Sequence, residues 1–382
     1  MLRLLHLRSL DALLTHAAAW DDLWRRSDVT IPTVQARLVA QWVRQFGPRA
    51  LGSRAFQALA IEEDGQFVAA LPLCAQRLGG WLAAGGLTGN AWTPAADLLV
   101  DPNTNREAVL DHLARAVSRL PWQLLWLDNA IIDAPRWQDF LAACERVGWS
   151  HEVQERFRIS QVEIAGSWDE YRATWSKNHR QNMPRYRRKL CAAQGDVSLR
   201  VLRPQSSEDI AAALRRGFEI ENRSWKGAAR SAVLKSPGMF EFFTQQAELL
   251  AEQGQLELAF LDAGGRPIAF HYAWRAKNVY HPFKCGYDEA FAAYSPGQLL
   301  IDEVLREFFA TGETAVFDCV GPATDFTRKW QTREYTVGRV AIAPGRLLGQ
   351  AVLAAYKHVW PTLKAWRPEP RRSAPRVANE RT

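Results

Sequence analysis

The chain has 382 residues, 47% hydrophobic and 23% charged, which is the balance of a globular protein with room for two or three domains. No apolar run approaches the roughly 18 residues a membrane-spanning helix needs, and the cysteines, Cys74, Cys144, Cys191, Cys285 and Cys319, are scattered without a Cys-x-x-Cys pair, so reduced core thiols are expected and a metal site is not. The net charge of +7 points to an anionic ligand or surface without choosing among phosphate, nucleic acid and lipid headgroup.

Residues 1–8 scatter charge among leucines and show no separate apolar core or cleavage site, so they are not read as a secretory signal and a cytoplasmic location is expected. Residues 1–50 read as helical, most clearly where Val34, Leu38, Val39, Trp42, Val43 and Phe46 recur at helical spacing before Gly47-Pro48. Residues 56–61, an acidic turn ending at Gly65, and residues 67–73 predict a β-hairpin. A glycine-rich apolar stretch follows, then Pro94-Ala95-Ala96-Asp97, a helix over residues 106–120 and a strand over 122–127.

The same order returns later. Residues 256–261 and 267–274 flank the turn Asp262-Ala263-Gly264-Gly265, and a third strand covers 279–284. The step Ser295-Pro296-Gly297 then leads into Leu299, Leu300, Val304, Leu305 and Phe308 at helical spacing, and a strand closes over 314–318. The separation from Gly65 to Arg106 is close to that from Gly265 to Leu299, so the chain reads as two copies of one α/β unit, with a mixed sheet in each. A helix start offers free N–H groups and partial positive charge to a phosphate, and Gly297 removes the side chain that would obstruct it. Asp97 in the first copy would repel an anion, which favours the second copy as the binding one.

Between the copies, residues 172–190 carry Arg172, Lys177, Arg180, Arg185, Arg187, Arg188 and Lys189 with no acidic residue, interleaved with Tyr171, Trp175, His179 and Tyr186. Three readings stand: a cradle for a phosphorylated or acidic acceptor, a contact for single-stranded nucleic acid, or a solvated helix face. Pro184 is expected to interrupt or start a helix there. Helices are predicted over 209–222, 237–253 and 347–356. From Trp366 the tail is rich in Pro and Arg, with five arginines against two glutamates, and is expected to be disordered and to offer contact with an acidic membrane surface.

The stretch Trp175-Ser176-Lys177-Asn178-His179-Arg180-Gln181-Asn182, with residues 185–190, resembles the basic helix of the CelD/BioF2-like branch of the GNAT acyltransferases. Glu221 with Ser224-Trp225-Lys226-Gly227 is similar to that branch's Glu-x-x-Ser-Trp-Lys-Gly element. Ser295-Pro296-Gly297, the strand end Phe317-Asp318 followed by Gly321, and the region of Lys329 complete the set. The resemblance covers about residues 150–340, and the first half fits a degenerate copy in a Fem-type double-GNAT architecture. One departure is that Gly321 is followed by Thr324-Asp325-Phe326-Thr327-Arg328-Lys329 where the family often has Gly-x-x-x-Tyr-Lys.

The resemblance implies tandem GNAT-like domains: a degenerate one over 1–150, an acyltransferase domain over 151–345, and a terminal helix with the basic tail over 346–382. It implies transfer of an acyl group from acetyl-coenzyme A or another acyl-coenzyme A to an amine or hydroxyl of a cell-envelope or exopolysaccharide precursor, an anionic glycan or lipid-linked acceptor. The thioester is already activated, so the protein has to orient the acceptor, remove a proton and polarise the carbonyl. Ser295, Pro296, Gly297, Gln298 and Leu299 would hold the pyrophosphate. Asp318, His281 and Glu221 are the three candidates for the base, and Tyr287 is the candidate acid for the departing thiolate. Lys177, Arg180, Arg185, Trp225, Lys226 and Lys329 would meet the acceptor. Two other readings stand beside this one: a Fem-type transferase using charged tRNA, and a non-catalytic module in an envelope assembly.

Overall fold

A computed structural model describes residues 1–48 and 55–358. The first half runs β1 (Leu2–Leu7), α1 (Leu10–Thr15), α2 (Ala17–Arg26), α3 (Ala36–Phe46), β2 (Phe56–Glu63), β3 (Gln66–Leu78), β4 (Leu82–Leu87), β5 (Leu99–Val100), α4 (Arg106–Val117), β6 (Leu124–Ile131), α5 (Pro135–Arg146) and β7 (Ser150–Glu163). The second runs α6 (Trp168–Ala173), α7 (Lys177–Gln194), β8 (Val197–Leu202), α8 (Ser207–Asn222), α9 (Trp225–Ala228), α10 (Met239–Ala251), β9 (Leu256–Ala263), β10 (Arg266–Ala276), β11 (Val279–Tyr287), α11 (Pro296–Thr311), β12 (Val316–Pro322), β13 (Arg333–Ala343) and α12 (Leu347–His358).

All these strands join one mixed sheet in the order β1-β2-β3-β4-β6-β13-β7-β12-β11-β10-β9-β8, with β5 beside β3. The duplication is visible in the pairing. In each half three antiparallel pairings (β1-β2-β3-β4 and β8-β9-β10-β11) lead to one parallel pairing, β4 with β6 and β11 with β12, bridged by α4 and α11. The halves also exchange their last strands. β7, which ends the first half, lies against β12, and β13, which ends the second, lies against β6.

Local chemistry sets the hairpins. Asp64-Gly65 and Gly264-Gly265 all have positive φ, the backbone that matches the twist of paired strands. Residues 2–7, expected to be helical, instead form edge strand β1, registered from Leu2 opposite Glu63 to Leu7 opposite Ala58. A short leucine run has no period of its own, so its partner decides its form. Pro184 neither starts nor ends a helix: α7 runs through it, capped at Ser176, whose hydroxyl accepts from the His179 amide (3.2 Å).

In the second half, α8 and α10 pack Phe218 and Phe243 with Phe270, Tyr272 and Trp274 of β10. α7 and α11 pack Leu190, Leu299, Leu300 and Phe308 with Tyr280 and Phe317 in a separate cluster. Gly217 lets α8 approach the sheet, since a Cβ there would fall 2.3 Å from the Phe270 ring. The basic tail lies outside the described residues. Among those described, no helix is long and apolar enough to cross a membrane.

Candidate active site

β11 and β12 pair only at Val279 with Val316 and Tyr280 with Phe317 before diverging. The gap opens into a cleft of about 430 Å³ lined by Cys285, Tyr287, Gly297, Ile301, Phe317, Cys319 and Phe326, with Trp225 and Lys226 among the residues at its margin. The start of α11 therefore meets the cleft at Gly297. A Cβ there would sit 3.4 Å from the Phe326 ring and 3.6 Å from the Tyr287 ring, within tolerable contact.

The five residues expected to hold a pyrophosphate divide by position. Pro296 has no N–H, and the Gln298 and Leu299 amides both turn back to the Ser295 carbonyl (3.0 and 3.1 Å). The Gly297 amide has no acceptor among the described residues. Ser295 holds a left-handed backbone (φ +51°), a strained choice for a non-glycine residue that turns the chain into the helix. The Gln298 side chain is buried, donates to the Phe326 carbonyl (3.2 Å) and accepts from Trp330 Nε1 (2.7 Å), which pins residues 326–330 over the helix start. Leu299 is core.

Asp318 and His281 lie close together, both buried. Asp318 accepts from Gln161 Nε2 (2.6 Å), the Val320 amide (2.8 Å) and the Tyr335 hydroxyl (3.3 Å). His281 sits beside Asp318 and the Thr30 backbone, and burial lowers its pKa although Asp318 opposes the shift. Burial, with the Asp318 carboxylate second, holds the Tyr335 hydroxyl well above the ordinary phenol range. Tyr335 opens onto another cavity, about 410 Å³, lined from the first half by Thr88, Asn90, Asp97 and Asp128 and from the second by Phe283, Val320 and Gly321. β12 is the wall common to both cavities. Tyr335 was missed in sequence because β13 is an exchanged strand whose neighbours lie far away in the chain.

The remaining candidates occupy other settings. Glu221 is buried with both oxygens engaged: Lys226 Nζ donates to Oε1 (3.0 Å) and the Val233 amide to Oε2 (3.1 Å). Lys226 also donates to the Cys285 carbonyl (2.6 Å), while Trp225 is 61% exposed. Gly286 allows this packing, since a Cβ there would lie 2.7 Å from Glu221 Cα. Tyr287, at the cleft, has its hydroxyl pKa raised by burial and then by Glu289. Lys177, Arg180 and Arg185 are exposed on α7. Lys329 lines a separate shallow recess with Trp175 and Ser176, beside His179, whose pKa falls to about 4 through burial and then the Lys329 charge. In the first copy no helix starts at Asp97. That carboxylate is buried against Arg136 (2.6 Å) and Trp137 Nε1 (2.7 Å). Among the described residues no group of three or more His, Cys, Asp or Glu is placed to hold a metal ion.

Residues 177–328 match the family model described as acetyltransferase (GNAT) domain. No curated protein matches the chain. Among solved structures, that of FemX is similar in fold at TM-score 0.60 and 12% identity, covering 89% of this chain and 97% of that one. A conserved protein of unknown function from Bacteroides thetaiotaomicron reaches 0.54 at 11% identity, covering 90% and 100%. The C-terminal domain of a putative lysylphosphatidylglycerol synthetase from Agrobacterium fabrum reaches 0.50 at 12%, covering 90% and 97%. With a GNAT acetyltransferase domain matched over residues 177–328 and its topology repeated in the first half, the chain has a tandem GNAT-like fold whose second half carries a transferase domain of that kind.

Proposed function

We propose that the protein transfers an acyl group from acyl-coenzyme A to an amine or hydroxyl of a cell-envelope or exopolysaccharide precursor, as a member of the CelD/BioF2-like branch. The observation that carries this is the cleft between the diverging β11 and β12, which meets the start of α11 at Gly297. The diphosphate would lie at the Gly297 amide and the helix end, with the thioester arm running between the strands.

The acceptor would enter from the cavity shared by the halves and meet the thioester at the end of β12, where Cys319 lines the cleft and Val320 the cavity. Its nitrogen or oxygen forms a bond to the acyl carbon and the carbon–sulfur bond breaks. The acceptor proton passes to the Tyr335 oxygen as the Tyr335 proton passes to Asp318, so Tyr335 stays neutral, as its raised pKa favours. Tyr287, at the cleft, returns a proton to the departing thiolate. Glu221 and Lys226 fit better as a fixed pair shaping the cleft margin than as base and acceptor ligand, because their partners are already satisfied.

Titration calorimetry and thermal shift with acetyl-coenzyme A and a longer acyl-coenzyme A test this. Binding of either raises stability by mass action; no heat and no shift from a folded sample would end the proposal. The exposed cations of α7 favour one second reading, a Fem-type transferase using charged tRNA. That reading expects tRNA affinity to fall steeply with salt, and an absence of tRNA binding at low salt removes it.

A further inference from the structure

We propose that the outer face of α12, together with Trp81, docks the protein on an anionic lipid membrane surface. This does not rest on the acyl donor or acceptor assigned above. α12 buries Gly349 and Leu353 and half-buries Val352 and Tyr356, while its outer face carries Leu347, Leu348, Ala351, Ala354 and Ala355. That face is apolar up to Lys357, which is exposed near the end of the helix and pairs with Glu152 (3.5 Å), whereas a surface helix of a globular protein ordinarily turns polar residues outward along its length. Leu347 is 84% exposed and Leu348 47%.

Trp81, 63% exposed at the tip of the β3–β4 hairpin, lies at the same edge of the molecule. Gln123 joins the two features: its amide donates to the Ala83 carbonyl (3.4 Å), and a Cβ on Gly349 would fall 2.0 Å from its own carbonyl oxygen. Leu78, at the foot of that hairpin, packs in one cluster with Val352 and Leu353. The edge thus presents an indole and two leucines to solvent together.

Charge identifies the occupant. Residues 357–382 hold seven Lys and Arg against two Glu, a net +5 out of +7 for the whole chain. An apolar, tryptophan-bearing surface followed directly by concentrated positive charge is complementary to an anionic bilayer, where apolar burial and headgroup attraction add. A second copy of the chain would bring two such positive segments together, which argues against a dimer on this face.

The test is flotation of the full chain with phosphatidylcholine vesicles, with and without phosphatidylglycerol, at low and high salt, beside light scattering for oligomeric state. We expect binding to the anionic vesicles only, weakened by salt, and reduced about tenfold or more in a Trp81→Ser, Leu347→Glu, Leu348→Glu variant with unchanged melting temperature. A second variant, Leu347→Ser with Leu348→Ser, guards against a folding defect and is expected to lose affinity in the same direction. No binding by the unaltered chain overturns the proposal. So does full binding by the folded variants, which would assign the attraction to the tail alone, or a dimer that these substitutions dissociate.

Discussion

Gly297 is where the smallest change should have the largest specific effect. Gly297→Glu places a carboxylate at the expected phosphate position while its Cβ meets only ordinary contacts, so donor binding is expected to be lost with the melting temperature nearly unchanged; calorimetry and a melting curve check both. The two buried carboxylates should separate by readout. Asp318→Asn is expected to lower kcat by roughly 100-fold or more with a small change in the KM for donor, whereas Glu221→Gln is expected to cost about 3 kcal/mol of stability by stranding Lys226, as measured by denaturant unfolding. A kinetic loss in folded Glu221→Gln with no change in stability would return the base to Glu221. The sequence contained all these residues, and their order was enough to suggest the chemistry. It could not show that Glu221 has both oxygens occupied or that Asp318 answers to Tyr335, because those partners are 12 and 17 residues away on other elements.

At the scale of elements, the turn between β10 and β11 is a clasp as well as a reversal. Lys277 and Asn278 both have positive φ, and Lys277 Nζ donates to the Trp24, Ser27 and Val29 carbonyls, the last two at 2.8 and 2.7 Å. The cation lies at the C-terminal end of α2, where the helix field favours positive charge. Burial still lowers its pKa to about 8. Lys277→Met should leave three carbonyls short of a donor, cost about 2 kcal/mol and loosen the seam between halves. Hydrogen exchange of α2 amides checks it, and unaltered protection would show that the clasp carries no load. The hairpins and amphipathic helices were legible in sequence because their periods and turn residues are local. β1, β7, β8 and β13 were not, since each reads as a strand only beside its partner.

For the whole molecule, acid is the condition to examine. His179 and His271 are held neutral by burial, with pKa values lowered to about 4 and about 3 from 6.5, and His281 is shifted the same way. Each takes a proton more readily unfolded than folded. The stability they contribute is therefore complete above about pH 6.5 and is lost progressively as pH falls toward 4 and then 3. Melting temperature should fall between pH 7 and pH 5 at fixed ionic strength, and less so in His179→Asn; a flat profile would mean these rings are not held neutral.

The sequence by itself determined the repeated α/β pattern, the glycine at the start of α11, the basic α7 and the likeness to acyltransferases, because these follow from spacing, turn chemistry and composition within short windows. Only the tertiary structure decided that the halves exchange β7 and β13 within one sheet. That exchange brings Tyr335 to Asp318 and closes a cavity between the copies, and it depends on pairings between segments more than 150 residues apart, which no local pattern encodes.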